Sequence, residues 1–247
     1  MALELLLIFA ALALGGLVKG VTGAGVPVVA VPVLAAFFDV PFAIAMMIVP
    51  TIVTNLVQMW QFRRHRSGPG YLVWMFVLAG VGIAAGTWLL TELPEAILGN
   101  ALGVVVVLYI ALRLSRPDWR LAPATARRLA PAAGLASGLL QGATGISAPV
   151  SITFLNAIGL TRGGFVFAIS TLFVSFAAVQ LPALVLAGIL TGERALLSAA
   201  ALVPVLLAMP VGGWLAARLT PRGFDRVILA LLAVIAVKLF YDSGLIG

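Results

Sequence analysis

Long apolar runs separated by short polar stretches are the main pattern along the chain. Five such runs fill the first half, and the second half repeats the plan with five more. A helix that crosses the hydrocarbon core of a membrane needs about 20 apolar residues, and most of these runs approach that length. The runs cover approximately residues 3–21, 26–38, 42–62, 71–90, 96–114, 129–143, 146–160, 164–190, 195–217 and 227–241. This pattern predicts an all-α, polytopic helical membrane protein.

Composition strengthens that prediction. Hydrophobic residues make up 63% of the 247 residues and charged residues only 9%, whereas an ordinary soluble domain is about 45–50% apolar and about 25% charged. So few charges cannot cover a water-soluble surface, which excludes a soluble enzyme and a disordered chain. The net charge of +7 does not indicate nucleic-acid binding, because no solvated domain exists to carry a basic patch.

The chemistry that the chain lacks narrows its function further. There is no cysteine, and His65 is the single histidine, so we expect no metal site, no cofactor and no catalytic residue. The apolar runs carry no Asp or Glu near their middles, where proton or sodium relays usually have one. The sequence also lacks a Walker-type loop, so it does not predict an ATPase or another enzyme.

The two halves resemble each other in sequence. Residues 16–28 align with residues 138–150 at an offset of 122, and 7 of these 13 positions are identical. Shared composition would give about one or two identities. Gln58 and Gln180 match at the same offset. We therefore predict a duplication, with a first transmembrane repeat at 1–117, a cytoplasmic basic linker at 118–127 and a second repeat at 128–247.

Charge placement predicts how the repeats lie in the membrane. Lys and Arg favour the cytoplasmic side. If the loop at 63–66 is cytoplasmic, the alternation of spans puts almost every basic loop inside and the acidic loops outside, with Arg194 as the exception. Because each repeat has an odd number of segments, the two would be inverted, as in many secondary transporters. The inner arginines would be Arg63, Arg64, Arg66, Arg113, Arg116, Arg120, Arg127, Arg128, Arg162, Arg218, Arg222 and Arg226.

Each half also contains a glycine- and proline-rich break within an apolar stretch. Such breaks unwind or bend a helix, and unwound backbone is tolerated in a bilayer only inside protein or beside a cavity. A matching pair of breaks in two repeats is typical of a substrate site, although tight helix packing is the alternative. The breaks contain Gly20, Gly23, Gly25 and Pro27 in the first half, and Gly142, Gly145 and Pro149 in the second.

The residues around the breaks favour an anion. A helix that begins after a break presents free N–H groups and the positive end of its dipole. Lys19 is a cation within a predicted span. Because a charge is costly there, Lys19 is a candidate functional residue. The alternative is that its ammonium extends to the lipid headgroups. The predicted substrate-binding residues are Lys19, Gly20, Thr22, Gly23, Gly25, Gln58, Gln141, Gly142, Thr144, Gly145, Ser147 and Gln180.

The segment from Gly20 to Pro27, followed by Val31-Pro32-Val33-Leu34, resembles the glycine-rich signature of the sulfite exporter TauE/SafE family, also called the toluene sulfonate uptake permease family. The copy from Gly138 to Val150 is similar to the second signature of that family. The resemblance implies a multi-pass transporter of the bacterial inner membrane. It would export a small sulfur oxyanion such as sulfite, sulfoacetate or a related organosulfonate.

Other interpretations stay open at this point. The chain could import a sulfur anion or another small anion, or it could be a membrane assembly protein that transports nothing. The expected partners are the substrate anion and the lipid bilayer, without nucleic acid. The sequence does not fix the oligomeric state, and a homodimer is one candidate.

The charge pattern generates a testable topology. A reporter enzyme that works only in the periplasm should be active when it is fused at the C-terminus. A reporter that works only in the cytoplasm should be active when it is fused after Arg66, because the arginine-rich loops stay inside. Reporter activity in colonies measures both. The opposite result at either position would contradict five segments per half.

Overall fold

The computed structural model describes residues 2–66, 68–115, 119–218 and 221–245, and the described chain is all-α. Arg116, Pro117 and Asp118 of the predicted linker region lie outside the described residues, as does the side chain of Arg222. A short 3₁₀ turn at Arg63–His65 follows the third helix. The α-helices are α1 Ala2–Thr22, α2 Val26–Phe37, α3 Val40–Gln61, α4 Leu72–Glu92, α5 Glu95–Ser115, α6 Pro123–Thr144, α7 Ala148–Ala157, α8 Arg162–Leu186, α9 Gly192–Arg218 and α10 Pro221–Asp242.

Helix length and composition confirm a multi-pass membrane protein. Within the described ranges, six helices are long and apolar enough to cross a membrane: Leu3–Thr22, Val40–Gln61, Leu72–Glu92, Glu95–Ser115, Arg162–Leu186 and Gly192–Leu215. α6 and α10 are also long, at 22 residues each, but more polar. The predicted all-α membrane class is therefore correct.

Two helices are much shorter than the rest, and they lie in the short apolar runs at 26–38 and 146–160. α2 has 12 residues and α7 has 10, which at the rise of an α-helix gives lengths of about 18 and 15 Å. A hydrocarbon core is about 30 Å thick, so neither crosses it alone. The breaks before them lie between Thr22 and Val26 and between Thr144 and Ala148, inside the protein rather than in a continuous lipid-facing helix.

Some predicted boundaries are wrong. α6 begins at Pro123 rather than residue 129, so half of the predicted linker 118–127 is helical. Proline suits the first position of a helix because its fixed φ fits and its missing N–H costs nothing there. α8 ends at Leu186 rather than 190, just before Gly188 at φ +69°. α10 begins at Pro221 rather than 227, and α7 ends at Ala157 rather than 160.

Glycines bring helices of different halves into close contact. α4 packs along α6, and α1 packs along α9. A Cβ added at Gly138 on α6 would lie 2.2 Å from the Ala79 carbonyl oxygen, and one added at Gly20 on α1 would lie 2.1 Å from that of Met209. Small residues permit this backbone approach between membrane helices. Each of these pairs joins a helix of the first half to a helix of the second, as a duplication would give. The inverted orientation of the halves stays a prediction.

A proline within α3 leaves a carbonyl group that another helix satisfies. Pro50 has no N–H to donate to the carbonyl of Met46, four residues earlier. The Ser198 hydroxyl on α9 donates to that oxygen at 2.9 Å and accepts from the Val49 N–H at 3.2 Å. The neighbouring helix thus replaces part of the hydrogen bonding that α3 cannot supply itself.

The glycine contacts predict a contrast between two neighbouring positions of α4. Gly82→Ala should lower the free energy of unfolding by about 1–3 kcal/mol, because its Cβ would lie 2.2 Å from the Leu135 carbonyl oxygen. Gly80→Ala should be neutral or stabilise by up to about 1 kcal/mol, since its Cβ meets only Val179 at 3.7 Å. Thermal unfolding in detergent measures both; equal effects would refute the close contact of α4 with α6.

Candidate functional site

Polar side chains line the interface between α3 and α8. We call this set the polar seam: Thr51, Asn55 and Gln58 on α3, with Ser170 and Gln180 on α8. All five are buried. Residues three and four apart share one face of a helix, which aligns the three on α3. The Ser170 hydroxyl donates to Gln58 Oε1 across the interface at 3.1 Å.

Lys19 on α1 joins the polar seam at Asn55. Its side chain is only 2% exposed, and Nζ donates to Asn55 Oδ1 at 2.8 Å. Asn55 Nδ2 in turn donates to the Thr51 carbonyl at 2.7 Å. Among the described residues, no carboxylate pairs with Lys19. The ammonium thus lies inside the protein and does not extend to the headgroups, the alternative that the sequence left open.

In the second half, Gln141 on α6 has the position that corresponds to Lys19. The residue 122 positions after Asn55 is Ala177. Its methyl group is too small to fill the space beside Gln141 that an asparagine would occupy. A small cavity lies there, lined by Val31, Ile44, Met47, Ile48, Thr51, Gln141, Gly145, Phe176, Ala177 and Gln180. One half therefore fills this position with a lysine–asparagine pair, and the other leaves it open.

Two amide atoms beside this cavity have no hydrogen-bond partner. Gln141 Nε2 donates to the Gly145 carbonyl at 3.0 Å, but Gln141 Oε1 is buried and unpaired. Gln180 Nε2 is also buried and unpaired. A buried polar atom without a partner costs free energy, so both atoms can gain from a ligand or a water molecule.

The two break threonines use their hydroxyls locally. Thr22 Oγ1 donates to the Val18 carbonyl at 2.9 Å and accepts from the Ala24 N–H at 3.2 Å. Thr144 Oγ1 donates to the Leu140 carbonyl at 2.7 Å and accepts from the Ile146 N–H at 3.4 Å. Each hydroxyl ties the end of one helix to the unwound backbone beyond it. Ser147 similarly accepts from the Ser151 hydroxyl at 3.2 Å.

The glycines of the breaks divide into two groups. Gly23, Gly25 and Gly145 have φ values of +78°, +110° and +74°, which only glycine adopts readily. They permit the chain to leave one helix and begin the next. Gly20 and Gly142 instead lie within α1 and α6, where they contact the backbones of α9 and α4.

The structure does not bring all the predicted residues to one point. A Cβ at Gly23 would meet Val166 near the start of α8, and one at Gly145 would meet Ile44 near the start of α3. Gln58 contacts Ser170, while Gln180 lies ten residues further along α8, a rise of about 15 Å. The breaks therefore lie toward opposite ends of the polar seam, and the matched glutamines do not face each other.

Sequence reasoning missed Asn55, Thr51 and Ser170 as site residues. Their signal was the spacing of Thr51, Asn55 and Gln58 along one face of α3. That spacing alone does not show which helix covers the face, and isolated Ser and Thr in membrane helices usually bond within their own helix.

Comparison with known proteins identifies one family. The family model for sulfite exporter TauE/SafE matches residues 7–239 of the 247. No curated protein and no solved structure matches the chain.

The Lys19–Asn55 contact predicts energetic coupling. Asn55→Leu should lower the free energy of unfolding by about 1.5–3 kcal/mol, because the buried ammonium loses its acceptor. Adding Lys19→Met should restore most of that loss, since an apolar pair leaves no charge unpaired. Thermal unfolding of the two single variants and the double variant gives the coupling free energy. Strictly additive effects would show that the two side chains do not interact.

Proposed function

The chain belongs to the sulfite exporter TauE/SafE family, and we propose that it exports a small sulfur oxyanion, sulfite or an organosulfonate such as sulfoacetate. The observation that carries this proposal is the buried Lys19 ammonium on the polar seam, bonded to a neutral amide. An uncompensated buried charge is costly, and a bound anion would offset that cost. We infer a transporter of the family's anion class rather than an enzyme.

The arrangement around Lys19 suits an oxyanion in several ways. Lysine retains further N–H donors beyond the one given to Asn55. Gln180 Nε2 and the hydroxyl of Thr51 are further donors along the same interface. We take the centre of the site at Lys19 and Gln141. The breaks at Thr22-Gly23 and at Thr144-Gly145 then form the two approaches to this centre.

The positions of the breaks support alternating access. One break lies toward the start of α8 and the other toward the start of α3, on either side of the proposed centre. Movement at either break would open the site toward one membrane face while the other stays closed. With the arginine loops inside, the Gly23 break lies on the cytoplasmic side and the Gly145 break on the periplasmic side of an inner membrane.

The membrane potential favours export over import. An inside-negative potential drives an anion outward with about 2.3 kcal/mol per charge per 100 mV. Export therefore needs no coupling ion, or only weak proton linkage. Import would need a coupling group, and the apolar runs contain no mid-span carboxylate to serve as one.

Flux of radiolabelled sulfite or sulfoacetate in proteoliposomes tests the function directly. We expect flux above that of protein-free vesicles, increased by a potential that is negative on the side holding the anion. Absence of flux for every sulfur anion would contradict the proposal.

Anion binding should depend on Lys19. Lys19→Ala should weaken sulfite binding by about 1.5–3 kcal/mol in calorimetry, the size of a charge-assisted hydrogen bond. Lys238→Ala is the matched control: the other lysine of the chain is exposed and paired with Asp242 at 2.7 Å, so affinity should not change. Unchanged affinity in both Lys19→Ala and a Thr22→Ala/Thr144→Ala double variant would place the site elsewhere.

A further inference from the structure

The hydrogen bond between Lys19 and Asn55 has no counterpart in the second half. Lys19 on α1 donates to Asn55 Oδ1 on α3 at 2.8 Å. The residues 122 positions later are Gln141 on α6 and Ala177 on α8. The side chain of Ala177 is a methyl group, which offers no hydrogen-bonding atom, and Gln141 Oε1 is buried without a partner among the described residues. The unpaired oxygen therefore lies where the first half has a polar neighbour and the second half does not.

The other contact across α3 and α8 shows the same loss. The Ser170 hydroxyl on α8 donates to Gln58 Oε1 on α3 at 3.1 Å. Exchanging the two halves puts Gln180 in place of Gln58, and Ile48 in place of Ser170, again 122 positions apart. Ile48 has no polar side-chain atom, and within the described chain nothing bonds Gln180 Nε2, which is buried. Ile48 and Gln180 line the same small cavity, as this correspondence requires.

That cavity has room for about one water molecule. Gln141 and Gln180 line it together with Ala177 and Ile48, the two apolar replacements. A buried water molecule needs two to four polar partners. The unpaired oxygen of Gln141 and the unpaired N–H of Gln180 supply two partners, and Thr51 is a further polar wall residue. Size and polarity therefore both fit a single water molecule.

The combination of a free acceptor and a free donor selects this occupant over an ion. A cation would face the N–H of Gln180, and an anion would face Gln141 Oε1, so either would leave one buried atom unsatisfied. No charged side chain of the described residues lines the cavity, and Lys19 is not one of its walls. A water molecule can donate to Gln141 Oε1 and accept from Gln180 Nε2 at once.

We propose that a resident water molecule occupies this cavity and joins Gln141 on α6 to Gln180 on α8. It stands in for the two polar partners that Ala177 and Ile48 do not supply. The site goes beyond the transport function and does not depend on it, because the water molecule and an anion at Lys19 are separate occupants. Gln180 can donate to an anion only once the water molecule has left.

Radiolytic hydroxyl labelling tests for the water molecule. X-rays convert a bound water molecule into a hydroxyl radical, which oxidises the side chains beside it even when they are buried. Met47 lines the cavity, whereas Met46 and Met75 do not, and all three are buried. We expect Met47 to be converted to its sulfoxide several times faster than Met46 and Met75. Equal rates at the three methionines would overturn the proposal.

A double variant separates a resident water molecule from access of bulk solvent. Gln141→Leu with Gln180→Leu removes both unpaired partners, and a cavity with apolar walls stays dry. The oxidation rate of Met47 should then fall to that of Met46; if it stays high, bulk solvent reaches Met47 and the proposal is wrong. Thr87→Val is the control, because the Thr87 hydroxyl is also buried without a partner in the described chain but does not line the cavity. That variant should retain the fast oxidation of Met47.

A density map of the wild-type protein that resolves ordered water gives a measurement without any variant. We expect a water molecule about 2.5–3.2 Å from both Gln141 Oε1 and Gln180 Nε2. An empty cavity, or an ion in it, would contradict the proposal even if the double variant does not fold. Neither result bears on the flux of sulfur anions, so this proposal and the transport function fail separately.

Discussion

A chain surrounded by lipid must satisfy its backbone polar groups internally. Three departures from regular helix in this protein meet that requirement with a specific side chain. Thr22 and Thr144 bond the backbone where α1 and α6 end. Ser198 bonds the carbonyl that Pro50 leaves unpaired. The irregular segments needed for a binding site can therefore exist at membrane depth because each has a local hydrogen-bonding partner.

Close glycine packing positions the two side chains at the proposed centre. Lys19 directly precedes Gly20, and Gln141 directly precedes Gly142. Each glycine holds its helix against the backbone of α9 or α4. The contact at the glycine fixes the rotation of its helix about the helix axis. Because neighbouring residues differ by about 100° around a helix, the side chain before the glycine then points toward α3 and α8. Packing and chemistry thus depend on the same short sequence.

Much of this architecture could be predicted from the sequence. The apolar runs predict the membrane class, and the glycine and proline residues predict both breaks. The family resemblance is confirmed by a match over residues 7–239. The cavity could not be predicted, because Ala177 carries no chemical signal and matters only as the counterpart of Asn55. Matching Gln58 with Gln180 predicts equivalence but not proximity, since equivalent residues on two antiparallel helices lie apart unless they are near the centre. The inverted orientation and the division at 117 stay predictions.

The Ser198 contact also makes the two central helices mechanically unequal. α3 depends on α9 for a main-chain hydrogen bond at Pro50, so it cannot bend or slide there without breaking bonds to Ser198. The residue 122 positions after Pro50 is Leu172, which has its own N–H and needs no such support. Movement of α3 at Pro50 is therefore coupled to α9, whereas the corresponding point of α8 carries no proline and needs no partner helix.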